Sequence, residues 1–160
     1  MTLAVVFGVA SVPWTYAFVV GGVPLWPSFI SSASYYASDG GTEGLAVSYL
    51  NNFAGILYAA ATLAVVDAYL GGGVLALSLV VGIFMFAASL HDAVVGFAPA
   101  VFLGYATMFS VHAAEAPLFL SGVAGETVAS VGSMFVGAAI GVGTDIASDE
   151  LGQRSKLPSR

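Results

Sequence analysis

The chain has 160 residues, of which 59% are hydrophobic and 8% charged, with a mean hydropathy of +0.97. A soluble domain carries about a quarter charged residues, so the class that fits is an integral membrane protein. The apolar content excludes disorder, and three Lys+Arg against nine Asp+Glu exclude a nucleic-acid binder. The absence of cysteine removes disulfides, thiolate metal sites and cysteine nucleophiles.

The acidic balance is unusual even for a membrane protein, with a pI near 4.3 and Lys156 as the single lysine. Such composition is expected in a high-salt cytoplasm, where screening removes the cost of crowded carboxylates, and a halophilic archaeal source is the expectation. Because Lys156 lies in a polar tail, no embedded lysine exists to hold retinal as a Schiff base.

A bilayer core of about 30 Å needs roughly 20 apolar helical residues to cross it. The first apolar run covers 2–22, contains Pro13, and lacks the basic n-region of a signal peptide, so it reads as a retained span. Residues 23–47 break the pattern with Pro24, Pro27, a Ser-rich stretch and the Asp39–Gly44 turn. They read as one long loop, with Trp26, Tyr35, Tyr36 and Tyr49 suited to the headgroup level. Further spans are expected at 46–70, 74–90, 93–112 and 127–147, followed by a polar tail at 148–160. Gly71-Gly72-Gly73 and His91-Asp92 would be reversals, Pro99 a bend, and Asn51 or Asn52 a helix cap. The expected fold is therefore all-α, a polytopic membrane bundle of about five helices in one domain. Arg154, Lys156 and Arg160 are the whole basic complement, which argues for a cytoplasmic tail and, with five spans, an outward N-terminus.

Five alternating spans place Asp67 and Asp145 at opposite faces, and His91 and His112 likewise. That separation argues against an intramembrane aspartyl protease, despite Gly141–Asp145, and against a haem held between the two histidines. Asp67, His112, Glu115 and Glu126 share one face and form a candidate cation or proton cluster. Interfacial groups at helix ends are the plainer explanation, and the spacing offers no metal site. On the last span Ala129, Ser133, Gly137 and Gly141 recur every fourth residue, a ridge suited to close helix packing, and Asp145 extends it. Shorter versions are Gly55 with Ala59 and Ser78 with Gly82.

Pro27-Ser28-Phe29-Ile30-Ser31, then Ser38–Thr42 and Leu50-Asn51, make residues 27–57 resemble the DRAM-type (damage-regulated autophagy modulator) small multispan families. In those families a Pro-x-Ile-Ser-Asp-x-Gly-like stretch follows the first span and a Leu-Asn pair opens the second. Here the Ile-Ser and Asp-Gly parts are split and Phe29 is extra. The resemblance implies a polytopic, non-catalytic membrane protein, with six spans and this loop on the non-cytoplasmic side. It carries over no functional residues.

The expected role is a non-catalytic accessory or interaction subunit in the cell membrane, without cofactor. Its expected partners are the lipid bilayer and, through the last span, another membrane protein or a second copy. The alternative is a small oligomeric transporter or channel for a cation, proton or small solute.

Overall fold

A computed structural model describes residues 2–95, 97–115 and 120–154, without the side chains of 91–95 and 154. The calls on the tail's basic side chains and on the His91 and Asp92 side chains lie outside the described residues. Among the described residues six helices follow in order: α1 Thr2–Val20, α2 Trp26–Ala37, α3 Gly41–Tyr69, α4 Val74–Val95, α5 Ala98–Ala113 and α6 Gly122–Arg154. Among the described residues there is no strand.

The expected long loop is the main correction, because it holds the 12-residue helix α2 and, from Gly41 on, the start of α3. Pro27 lies in the first turn of that helix, where a missing N–H costs no bond and the fixed φ suits the start. The proline and serines that argued for a loop thus open and line a helix. Asp39, Gly40 and Gly41 then take φ near +65° in succession and reverse the chain, which glycine permits cheaply. α3 begins at Gly41, so Asn51 and Asn52 are not caps; both lie well inside the helix and are fully buried. α4 continues through residues 91 and 92, so His91-Asp92 is not a reversal. Pro99 occupies the first turn of α5 and starts that helix instead of bending one.

Contacts along the chain fix the directions. Phe7 meets Tyr36 at a centroid distance of 6.0 Å, and Trp14 meets Phe29 at 4.2 Å, so α1 and α2 are antiparallel. α2 runs parallel to α6, since Ser32 bonds Gly137 while Tyr35 bonds Asp145. Tyr49 reaches back to Val131, and α3 opposes α6. With six alternating helices, the start of α1 lies at the same end of the bundle as the end of α6. Five alternating spans would put these two ends on opposite faces of the bundle.

The distribution of side chains is inverted relative to a soluble protein. Val5, Val9, Val12, Val19 and Val20 of α1 and Leu75, Leu79, Ile83, Phe86 and Leu90 of α4 are exposed. Meanwhile Ser28, Ser31, Ser32, Ser34, Asn51, Asn52, Thr62, Thr107, Ser130 and Ser133 are buried. Lipid tails favour such an exterior, and apolar surface this extensive would aggregate in water. Among the described residues α1, α3 and α6 are long and apolar enough to cross a membrane, and Val74–Leu90 is a shorter apolar helix. The bundle is a helical membrane protein.

Its apolar core is small: Ile56, Ala59, Leu63, Tyr105, Met108 and Met134 join α3, α5 and α6. Elsewhere backbones touch directly. A Cβ on Gly55 would strike the Val101 carbonyl, one on Gly104 the Asn52 carbonyl, and one on Gly137 the Ser28 carbonyl. Where lipid supplies no hydrophobic drive, this closeness lets dispersion hold the helices together.

Candidate functional site

Serines recur along α2 on two stripes. Ser28, Ser32 and Tyr35 follow the i, i+4, i+7 spacing of one helical face, and Ser31, Ser34 and Ser38 follow i, i+3, i+7 on another. On the first stripe every polar side chain is bonded. Trp14 Nε1 donates to Ser28 Oγ at 3.0 Å, and Ser32 Oγ donates to the Gly137 carbonyl at 2.6 Å. Tyr35 Oη donates to Asp145 Oδ2 at 2.7 Å and accepts from the Gly41 amide at 2.8 Å. Tyr36 adds a 2.7 Å bond between its hydroxyl and that of Thr144. These bonds fasten α2 to α6 and to the turn into α3.

The second stripe is different. Ser38 bonds the Gly44 carbonyl and so marks the side of α2 that meets α3. Further along, Ser31 Oγ and Ser34 Oγ are buried without a hydrogen-bond partner. So are Asn51 Oδ1, both side-chain polar atoms of Asn52, Thr107 Oγ1 on α5 and Ser133 Oγ on α6. Asn51 Nδ2 alone is used, donating to the Val47 carbonyl at 2.7 Å. The four helices concerned touch one another, and these residues lie inside them: Ser31 and Thr107 near mid-helix, Ser34 toward the end of α2, and Asn51, Asn52 and Ser133 in the first half of α3 and α6. They make up a neutral polar set, the seam, within four mutually packed helices.

The cost can be sized. A buried polar atom without a partner forfeits about 1–3 kcal/mol of desolvation. Seven such atoms are a large burden for a chain this short. Folded proteins bond nearly all their buried polar groups, and groups left unmade usually have a functional reason. The seam is closed, each of these atoms being sealed from solvent.

At the α2–α3 turn, Ser38, Asp39, Gly40, Glu43, Gly44, Val47 and Phe97 line a recess of about 460 Å³ that places two carboxylates at this end of the second stripe. The opposite end carries the bond from Trp26 Nε1 to Ser110 Oγ at 3.2 Å. A separate apolar groove of about 540 Å³ runs along the outer face between α3 and α6, lined by Tyr49, Leu50, Phe135 and Ala139 among others.

A family model described as "Protein of unknown function (DUF1097)" matches residues 4–148. The chain belongs to the DUF1097 family. No curated protein and no solved structure matches it. The match spans all six helices of this DUF1097 protein and takes in the whole seam.

The residues singled out from the sequence fall into two groups. In the mixed cluster, His112 Nδ1 and Glu126 Oε2 meet at 2.9 Å and tie α5 to α6, with the imidazole 40% exposed. Asp67 is exposed near the end of α3, and Glu115 is exposed just past α5 with φ +46°. Neither Asp67 nor Glu115 has a side-chain bond to that pair among the described residues, so the structure brings together two of the four. On the α6 ridge, Gly137 lies against the Ser28 backbone, a Cβ on Gly141 would approach the Tyr35 ring to 2.9 Å, Ser133 is buried and Ala129 half-buried. The helix against this ridge is α2, the segment read from sequence as a loop. Gly82, by contrast, faces open space.

Sequence reasoning missed the seam because it placed Asn51-Asn52 at a helix start. The signal was present in the serines of 28–34, whose spacing is helical, and in Pro27, which is a helix-opening residue as readily as a loop residue.

Proposed function

We propose that this DUF1097 protein passes a small solute across the membrane along the seam between α2, α3, α5 and α6. The observation that carries the reading is the set of buried, unpartnered polar atoms of Ser31, Ser34, Asn51, Asn52, Thr107 and Ser133. Polar groups embedded in a membrane bundle are expensive and recur along substrate pathways, and an interrupted or short helix inside the fold is a recurrent setting for them. A passing solute supplies the bonds that the closed seam lacks. An accessory or interaction subunit would have no use for so many unmade bonds in its interior, so the same observation weakens that reading. What favours that second reading is the apolar groove between α3 and α6, which suits an apolar partner. The common end of the bundle that holds the start of α1 and the end of α6 is placed on the cytoplasmic side, following the basic tail.

The test is passage across vesicles. Protein reconstituted into liposomes is challenged with gradients of urea, glycerol and sodium chloride, each followed by light scattering or a sodium-sensitive dye. At least one solute should cross faster than in protein-free vesicles. Asn52→Leu should abolish the gain, while Leu79→Ala on the outer face of α4 should keep it. No acceleration of any solute by well-folded protein would overturn the proposal.

A further inference from the structure

The seam's own chemistry narrows what it carries; this step rests on the solute-passage reading above. The hydroxyls of Ser31, Ser34, Thr107 and Ser133 can each donate and accept. Asn52 offers a free amide NH₂ and a free carbonyl oxygen, whichever way its amide is turned, and Asn51 offers a carbonyl oxygen only. The unpartnered set is therefore mixed, with donors and acceptors side by side on neighbouring helices.

A cation would use the oxygens and meet the Asn52 NH₂ as a repulsive dipole. An anion would find the NH₂ and hydroxyls but face the two carbonyl oxygens. Nor does any charge lie within reach to offset either ion. Among the described residues the buried polar side chains are all Ser, Asn and Thr, with no Asp, Glu, His, Lys or Arg. The ionisable groups sit at the two ends instead, His112 and Glu126 at one, Asp39, Glu43 and Asp145 at the other. An ion stripped of water in mid-membrane without a countercharge is penalised far more than a neutral polar molecule.

Size follows from the packing. The backbone contacts Gly55–Val101, Gly104–Asn52 and Gly137–Ser28 hold α3 against α5 and α2 against α6 at backbone distance. In interiors packed this closely, a solute of a few heavy atoms demands far less helix separation than a sugar would.

We infer that the seam binds a small uncharged solute carrying both hydrogen-bond donors and an oxygen acceptor, of the size of a simple amide or short polyol, and excludes ions. Urea and glycerol are the probes for the two solute shapes, and sodium and potassium chloride for the ions. Urea or glycerol should cross the reconstituted membrane severalfold faster than in protein-free vesicles, with sodium and potassium at the protein-free rate. Thr107→Val keeps the shape and removes one hydroxyl. It should slow the neutral solute by about tenfold, the rate factor for the loss of one hydrogen bond in the rate-limiting state. Asn52→Leu should do at least as much, and should pass both donor and acceptor solutes poorly. Sodium or potassium flux without urea or glycerol flux would overturn this inference and leave solute passage standing. Silence for all four probes would overturn both.

Discussion

The two stripes of α2 differ in a way their composition does not explain. Each presents two buried serines within one 12-residue helix, Ser28 and Ser32 on one and Ser31 and Ser34 on the other. One is bonded residue by residue to α1 and α6, through Trp14, Gly137 and Asp145. The other leaves Ser31 and Ser34 without partners, and Asn51, Asn52 and Thr107 on the helices that α2 touches are equally unmet. A hydroxyl in a membrane bundle is thus either a fastener or a reserve of unmade bonds, depending on what it faces. The bonded stripe fixes where α2 stands, and the unbonded stripe is what is left available to a ligand.

The largest expected effect breaks the fastened side. Gly137→Ala drives a methyl into the Ser28 backbone and should cost about 1–3 kcal/mol, read as a lower midpoint in thermal unfolding in detergent. Gly132→Ala on the same helix meets open space and should change little. Equal behaviour of the two would mean that α2 does not pack on α6 as described.

Next come paired hydroxyl removals, one on each side. Thr107→Val deletes an unmet buried group and should raise stability by about 1–2 kcal/mol while slowing solute passage. Ser32→Ala deletes a made bond and should lower stability by about 1 kcal/mol. Opposite signs sharpen the distinction between the stripes. A loss of stability in both would show that Thr107 has a partner.

The smallest effect belongs to the far end. The His112–Glu126 pair is partly exposed, so Glu126→Gln should alter stability by no more than about 1 kcal/mol. It should leave neutral-solute flux intact. A collapse of flux in this variant would move the functional site to that end of the bundle.

How much of this was legible in the sequence depends on the element. The apolar runs overlie α1, α3, α4, α5 and α6, of which α1, α3 and α6 are long and apolar enough to cross lipid. The four-residue spacing of Ala129, Ser133, Gly137 and Gly141 marked a close-packing face on α6, but not that its partner is α2. α2 itself was invisible to hydropathy, since its serines lower the local average although they are buried. Only their helical spacing after Pro27 encoded it. Composition also could not distinguish Ser32, which is bonded, from Ser31 beside it, which is not. That difference is set by the neighbouring helix, and no local pattern contains it.

The central claim, that the seam opens to water during its working cycle, is most directly tested by cysteine accessibility. The natural chain has no cysteine, so a single introduced thiol is read without background. Ser31→Cys and Thr107→Cys would each be treated in liposomes with a small hydrophilic, thiol-specific reagent, alongside Leu79→Cys on the lipid-facing side of α4. The thiolate is the nucleophile that attacks such reagents, and it forms readily only where water reaches. The account predicts labelling at residues 31 and 107, slowed by added urea or glycerol, and none at 79. Silent thiols at both seam positions in folded protein would show a dry, permanently closed core and contradict it.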